Sequence, residues 1–530
     1  MKTPLILSVA AAAVLSISLH ADETTDRMEA MEAQIKQLQA ELSALKGGEA
    51  VEAAVETEDA ADGEAEEDDT QERLTDLENQ ISEINKNTAG NHVKFGVDFR
   101  TAVDNLQYKM AAKDADGDDT MSNDAFITNR LWLNMNWLAT ENMSFTGQLA
   151  YNKAYGYRSG FGGAYPGFET FDWITNENAY DDVIRVRSAY FFYRNDTFLG
   201  TDVPWTFSIG RRPSTNGHLI NLRDDDPAAS PMGHTINVEF DGLSSKFSFE
   251  NVTGIPGMYV KFCAGRGGTN ANAKFFTIDT NTSTVNAAAP YAKNDADIPD
   301  IDLAGLIFVP YDDGQYSIGT QYYYAAHLID ANPEIAMGGA FTGMQDVGNL
   351  HSLTANFKVY GIGDGWSDFL DDTIFFVSGA WSITDPKKGG QGMLGSTDSK
   401  TGSSYWVGLQ TPTGFSEQGR FGLEFNHGSK YWRSVTYAED TDIGSKVAAR
   451  GNAYEAYYTD YLIEDVFSFQ IRYTYIDYDY TGSNGFFGSA TGTPIKIDDM
   501  ASSSNPYIAG MAPYTVDTAQ DIRFYLRYRY

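Results

Sequence analysis

The closing stretch Asp521–Tyr530 reads DIRFYLRYRY. In an extended strand successive side chains point to opposite faces. Ile522, Phe524, Leu526, Tyr528 and Tyr530 therefore share one side, and Asp521, Arg523, Tyr525, Arg527 and Arg529 share the other. One face is apolar and aromatic, the other charged. An edge strand of a soluble sandwich would bury the first face. A strand in a membrane barrel would turn it toward lipid and its aromatic end toward the interface.

The composition narrows the choice. Fifty Gly and 13% aromatic residues, with 42% hydrophobic residues in 530, describe a chain with many turns and a modest apolar surface, as in large all-β proteins wetted on one face. A formal charge of −35 argues against a nucleic-acid partner, which demands clustered Lys and Arg. The single cysteine, Cys263, excludes an intrachain disulfide framework. Residues 1–21 read as a signal peptide: Lys2, an apolar run from Leu5 to Leu19, and the small Ala21 before an acidic stretch. No other run is long enough for a membrane-spanning helix. The expected home is periplasm, outer membrane or medium.

Residues 22–47 carry Met28, Met31, Ile35, Leu38, Leu42 and Leu45 at alternating spacings of three and four, the seam of a short coiled coil. Residues 48–70 form an acidic, disordered linker, with eleven acids and no Lys or Arg between Glu49 and Asp69. Heptads resume in residues 71–90 at Leu74, Leu77, Ile81 and Ile84. Each seam is too short to hold chains together alone, so another strong interface is expected, and a trimeric barrel would supply one.

From residue 91 to residue 530 period two takes over. Val93, Phe95, Val97 and Phe99 alternate with Lys94, Gly96, Asp98 and Arg100, and the segment Arg130–Tyr151 reads as two strands joined by a tight turn. Sixteen strands are predicted, starting near Val93, Phe126, Met143, Val183, Trp205, Thr235, Met258, Ile301, Gln315, Leu350, Thr373, Ser403, Arg420, Asn452, Asp465 and Gln520. Their connections alternate short and long. The short ones are 139–142, 195–203, 251–257, 310–314, 361–371, 412–419 and 461–464. The long ones are 110–125, 155–182, 212–234, 267–300, 329–349, 385–402, 429–451 and 481–519. That asymmetry, with an even strand number, predicts a transmembrane antiparallel barrel with tight periplasmic turns, long external loops and both ends on the periplasmic side. Its inner face alternates polar, as in Ser468, Gln470, Arg472 and Thr474, which predicts a water-filled lumen.

The main site candidate joins Arg185 and Arg187 in VIRVRSAYFFY, Arg211 and Arg212 in SIGRRPS, and Asp224, Asp225 and Asp226 in the third long loop. Opposed charges across a wet constriction make a transverse field that sorts solutes by charge and dipole. Local salt bridging that merely holds the loop shut is the competing reading. Arg130, Arg472 and Arg523 are expected to line the lumen, and the arginines of the closing strand to be exit-side charges far from that loop. Asp114, Asp116 and Asp118 in DADGDD resemble the start of a calcium loop, but the downstream bidentate Glu is missing, which favours a solvated surface loop. No metal, cofactor or enzymatic nucleophile is expected.

The N-terminal heptads, VKFGVDFR, TNRLWLNMNW, SFTGQLAYNKAYG and above all WTFSIGRRPSTNG resemble a porin-like family of Gram-negative outer membranes described as a domain of unknown function. An aromatic final residue closing an alternating strand also resembles the way outer-membrane barrels end. The layout is similar to that of phosphate-selective porins, but no lysine-rich lumen ladder is legible. The resemblance implies a β-barrel with an N-terminal coiled coil in the outer membrane. It covers the signal, the coiled coil and the first half of the barrel, and implies no particular solute.

The expectation is an outer-membrane porin passing small hydrophilic solutes or ions by passive diffusion through a barrel narrowed by the third external loop. The alternative is a non-conducting anchor linking the barrel to the periplasm. Expected partners are outer-membrane lipid and lipopolysaccharide, two further copies in a homotrimer, and peptidoglycan or another periplasmic contact through the coiled coil.

Overall fold

The computed structural model describes residues 93–156, 183–271, 276–279, 284–287, 289–293, 298–331, 343–363, 365–436, 439, 441–483 and 492–530. The expected signal peptide, both coiled-coil segments and the acidic linker lie outside them. Sixteen strands form one closed antiparallel sheet. In chain order they are β1 (Lys94–Met110), β2 (Thr120–Thr140), β3 (Met143–Ala154), β4 (Arg185–Asn195), β5 (Trp205–Arg211), β6 (Asp241–Ser248), β7 (Tyr259–Gly268), β8 (Ile301–Asp312), β9 (Tyr316–Ala331), β10 (Met344–Tyr360), β11 (Ile374–Pro386), β12 (Thr401–Thr413), β13 (Ser416–Gly428), β14 (Gly451–Ile463), β15 (Phe467–Tyr478) and β16 (Val516–Arg529).

Each strand pairs with its sequence neighbour, and β16 closes the ring against β1 with Arg527 opposite Arg100 and Tyr528 opposite Phe99. Tyr530 extends the seam by exchanging backbone hydrogen bonds with Val97 at 2.8 and 2.9 Å. The two faces of the closing strand fall as the alternation predicts. Ile522, Phe524, Leu526, Tyr528 and Tyr530 are exposed on the outside, whereas Asp521, Arg523, Tyr525 and Arg527 are buried within.

Some boundaries differ from the sequence reading. The expected start at Thr235 belongs to the loop after β5, and β6 begins at Asp241. Expected starts at Phe126, Leu350 and Gln520 sit inside strands that begin at Thr120, Met344 and Val516. These strands run past the apolar band as polar pairs such as Gln107 with Ser122, so hydrophobic alternation alone underestimates their length.

Two aromatic belts ring the outside. At the end where connections are short, Trp205 stacks on Phe247 at 6.4 Å and Tyr458 meets Phe469 edge-on at 5.7 Å. At the long-loop end, Tyr405, Phe425, Tyr454 and Tyr475 follow one another around the wall with centroids 5.0–6.4 Å apart. Exposed aliphatic residues such as Leu353, Val377, Leu423 and Ile471 lie between the belts. An apolar band between aromatic girdles is the outer surface of a barrel in a bilayer.

The inside is not simply wet, and here the expectation of a water-filled lumen is corrected. Ile307, Val309, Tyr323, Phe376 and Trp406 point inward and are buried against residues of the loop 212–240 and of the loop after β13. Three inward rings, Tyr323, Phe376 and Tyr457, lie over the glycines directly across the sheet, Gly305, Gly408 and Gly422. A Cβ on any of these glycines would come within 2.6 Å of the ring. Large side chains interdigitating with absent ones pack this part of the interior, and of them Ile307 and Tyr323 also border open space.

An arginine at the hydrocarbon midplane of such a barrel costs about 2–4 kcal/mol. Ile471→Arg is therefore expected to lower the urea unfolding midpoint in phospholipid vesicles, and the loop-tip change Asp116→Arg to leave it unmoved. Equal midpoints would mean that the outer face does not meet lipid.

Candidate functional site

The loop 212–240 turns into the barrel because its sequence alternates two kinds of anchor. Leu219, Ile220 and Leu222, on or beside the one-turn helix α1 (Ile220–Arg223), bury against Phe376 and Trp406 of the wall and Val447 of the loop after β13. Leu219 takes φ +80°, a conformation that costs a bulky residue about 1–3 kcal/mol and persists only where packing over-determines it. Met232, Ile236, Val238 and Phe240 form a second apolar anchor with β7–β10. Between them His234 bridges Ser378 Oγ at 2.9 Å and Ser404 Oγ at 2.8 Å. Full burial pushes its pKa down to about 3, so it is neutral.

The second kind of anchor is polar and lies on the far wall. Gln410 of β12 and Gln470 of β15 donate to the carbonyls of Leu222 and Arg223 at 2.9 and 2.7 Å. Arg527 of β16 donates to the Asp224 carbonyl at 2.8 Å and to Asp226 Oδ1 at 2.8 Å, and Arg529 donates to Asp226 Oδ1 at 2.9 Å. Tyr461 donates its hydroxyl to Asp225. Arg223 is fully buried, and burial works against its charge, but Asp224, Glu455 and Glu439 hold it charged well above the ordinary arginine range. Five consecutive loop residues, 222–226, are thus clasped by β12, β14, β15 and β16.

The wall supplies this clasp through a register of arginines. Arg130, Arg100 and Arg527 lie directly opposite one another across β2, β1 and β16, and Arg472 lies opposite Arg523 across β15 and β16. Like charges side by side repel, so carboxylates must sit among them. Asp98 takes Arg527 at 2.5 Å and Arg130 at 3.3 Å, while Arg523 binds Asp104 and, at 2.6 Å, Asp442 from the loop after β13. Lys446 of that same loop reaches Glu424 at 2.6 Å and also binds Glu455.

This arrangement separates the predicted site residues. Asp224, Asp225 and Asp226 face the arginines of the closing strand, not Arg185, Arg187, Arg211 and Arg212. Arg187 is buried and bound to Glu239 at 3.3 Å, Gln148 at 2.7 Å and Thr215 at 2.6 Å. Arg211 also binds Glu239, at 3.0 Å, near the loop end of the barrel. Arg185 is half-buried at the loop end of β4. Arg130, Arg472 and Arg523 do point inward but are buried in the charge network rather than bordering open space. Arg527 and Arg529, expected far from the loop, hold it.

Open space lies on the other side of the loop. A cavity of about 740 Å³ runs between residues 213–231 and the inner face of β2–β7. It spans from Asn136, Thr206 and Tyr259 near the turn end to Arg187 and Arg212 near the loop end. Arg212 sits over the Tyr190 ring at 5.2 Å and donates to Ser244. Lys246 sits over the Tyr259 ring at 4.1 Å, and Lys261 donates to Ser230 of the loop. Burial, with repulsion from Lys358, Lys261 and Lys246, pushes His218 down to about 4, so it adds no charge at neutral pH. Among the described residues, no Asp or Glu lines this cavity.

Sequence reading missed Lys246 and Lys261, which strand parity places inward only once β6 is known to begin at Asp241. It placed the arginines inward but not opposite one another, since that needs the register between strands. Asp114 accepts from the Asp116 and Asp118 backbone amides at 2.9 and 3.0 Å, which makes the segment a self-capped turn. Among the described residues, no cluster of three or more His, Cys, Asp or Glu could hold a metal.

A family model described as "Protein of unknown function (DUF3373)" matches residues 120–530. None of the curated proteins matches the chain. Solved structures similar to it include OmpT, an outer membrane protein of Vibrio cholerae in trimer form, at 11% identity and TM-score 0.40, covering 83% of this chain and 99% of that one. An anion-selective porin from Comamonas acidovorans aligns at 10% identity and TM-score 0.42, covering 83% and 99%. OprB of Pseudomonas putida aligns at 13% identity and TM-score 0.42, covering 85% and 96%.

Removing one partner of a buried ion pair costs about 3–5 kcal/mol. Arg527→Gln is expected to lower the urea midpoint and to open residues 219–231 to limited proteolysis, with Arg527→Lys intermediate because it loses the fork but keeps the charge. Full protection in Arg527→Gln would mean that the remaining anchors hold the loop without Arg527.

Proposed function

The chain belongs to the family described as "Protein of unknown function (DUF3373)", and we propose that it is an outer-membrane porin. In this reading small hydrophilic solutes diffuse passively through the barrel, and the third external loop narrows the route to one side of the lumen. The observation that carries it is the cavity along β2–β7, bordered by Arg212, Lys246 and Lys261, within a closed sheet of sixteen strands whose outer face is apolar between two aromatic belts. A ring of this size encloses more space than its own side chains can fill, and a loop clasped to one wall leaves the remainder on the opposite side.

Orientation follows from the same reading. Long loops face outward, and the short turns and both ends of the barrel face the periplasm. The short heptads fit a homotrimer, in which barrel contacts hold the chains and the helices add to them.

Single-channel recording in planar bilayers tests the proposal. Purified, heat-modifiable barrel is expected to insert with discrete conductance steps, and replacing residues 219–231 by a short Gly/Ser linker is expected to enlarge them. A folded barrel that never conducts would leave the protein as an anchor or surface structure.

A further inference from the structure

We infer that the route along β2–β7 is built for anions: the solute class is small inorganic and carboxylate anions, bound in passing by Arg212, Lys246 and Lys261. This rests on the porin reading and deepens it.

Three observations converge. Lys246 and Lys261 are direct cross-strand partners on β6 and β7, and both side chains border the cavity. Like charges directly opposite each other destabilise a sheet. Elsewhere on this inner wall the same problem is solved with carboxylates, as Asp98 does between Arg130 and Arg527. Here no carboxylate is inserted.

The second observation is the quality of the partners these cations have. Lys261 is buried, and its recorded partner is the Ser230 hydroxyl. Arg212 has the Ser244 hydroxyl and the Tyr190 ring, and Lys246 has the Tyr259 ring. Among the described residues, none of the three has a carboxylate at salt-bridge distance. Hydroxyls and ring faces hold Arg212 and Lys246 in place without cancelling their charge, and the buried Lys261, whose charge burial and its cationic neighbours disfavour, is held as a cation by an anion beside it. The acids near the cavity are otherwise placed: Glu239 is shared by Arg187 and Arg211, and Asp312, outside the lining, accepts from Gly314 N–H and the Ser317 hydroxyl and attracts Lys246 only from beyond salt-bridge distance.

The third is range. The chain carries a formal charge of −35, which would repel anions if felt evenly. Charges on solvated loops are screened within about 8 Å at physiological salt. Cations lining a narrow route with low-dielectric walls are not, and their field sets the local ion concentration. The cavity therefore opposes the sign of the whole molecule.

Reversal potentials of the full chain in planar bilayers under a KCl gradient test the inference. Wild type is expected to prefer chloride over potassium. The triple change R212Q/K246Q/K261Q should lower the chloride-to-potassium permeability ratio by roughly tenfold, the low end of what focused charge does to local ion concentration. The charge-preserving R212K/K246R should keep the wild-type ratio, and the single reversal K246E, a milder change at a half-exposed position, should lower it where the triple variant fails to fold. A wild-type channel that prefers potassium, or a ratio that none of these changes moves, overturns the anion assignment and leaves the porin reading standing. Absence of any channel overturns both.

Discussion

The fold of the interior depends on one contact, the fork of Arg527 around Asp98 on the seam and around Asp224 and Asp226 of the loop. Everything else inside the barrel is arranged around it. Because the loop is drawn to β14–β16 by charge, its apolar residues fall against the inward rings of β11 and β12, and the space it vacates lies along β2–β7. If the same loop were held by Arg187 and Arg212 instead, the cavity would be filled and Arg527 and Arg529 would lose Asp226. The asymmetry of the lumen is thus a consequence of which arginines are neutralised and which are left available.

The two halves of the inner wall accordingly use one chemistry to opposite ends. On the clasp side, cations and carboxylates interleave at hydrogen-bond distance and are buried. Such a network contributes little net stability over an apolar core, since desolvation offsets most of the attraction, but it fixes one geometry because any displaced partner leaves an unpaired buried charge. On the open side, the cations rest on hydroxyls and aromatic faces. The first arrangement specifies a position; the second retains a field.

The sheet was largely legible in the sequence. Period-two alternation in Asp521–Tyr530 assigns both faces of the closing strand correctly, and the alternation of short and long connections yields the right number of strands. The loop's destination was not legible. Asp226 and its anchor Arg527 are 301 residues apart, and nothing in the local pattern of either segment encodes a contact over that separation. Proximity in sequence instead made Arg211 and Arg212 look like the natural counter-ions of Asp224–Asp226. Lys246 and Lys261 were hidden for a different reason: Thr235–Phe240 alternates well enough to pass for strand, and so obscured where β6 begins. The residues in it and beside it, His234 between two serines of the wall, Thr235 on Thr354 and Phe240 against the glycines of β6 and β7, are loop residues with the composition of a strand because they too pack on a sheet.

The seam carries a further consequence. Arg527 and Arg529 stand some three hundred positions after the acidic segment they secure. Until β16 pairs with β1, Asp226 lacks the two arginines that bind it, so ring closure completes the seating of the loop. The same strand thus shuts the wall, by pairing with β1 and β15, and fastens the loop, by binding Asp226.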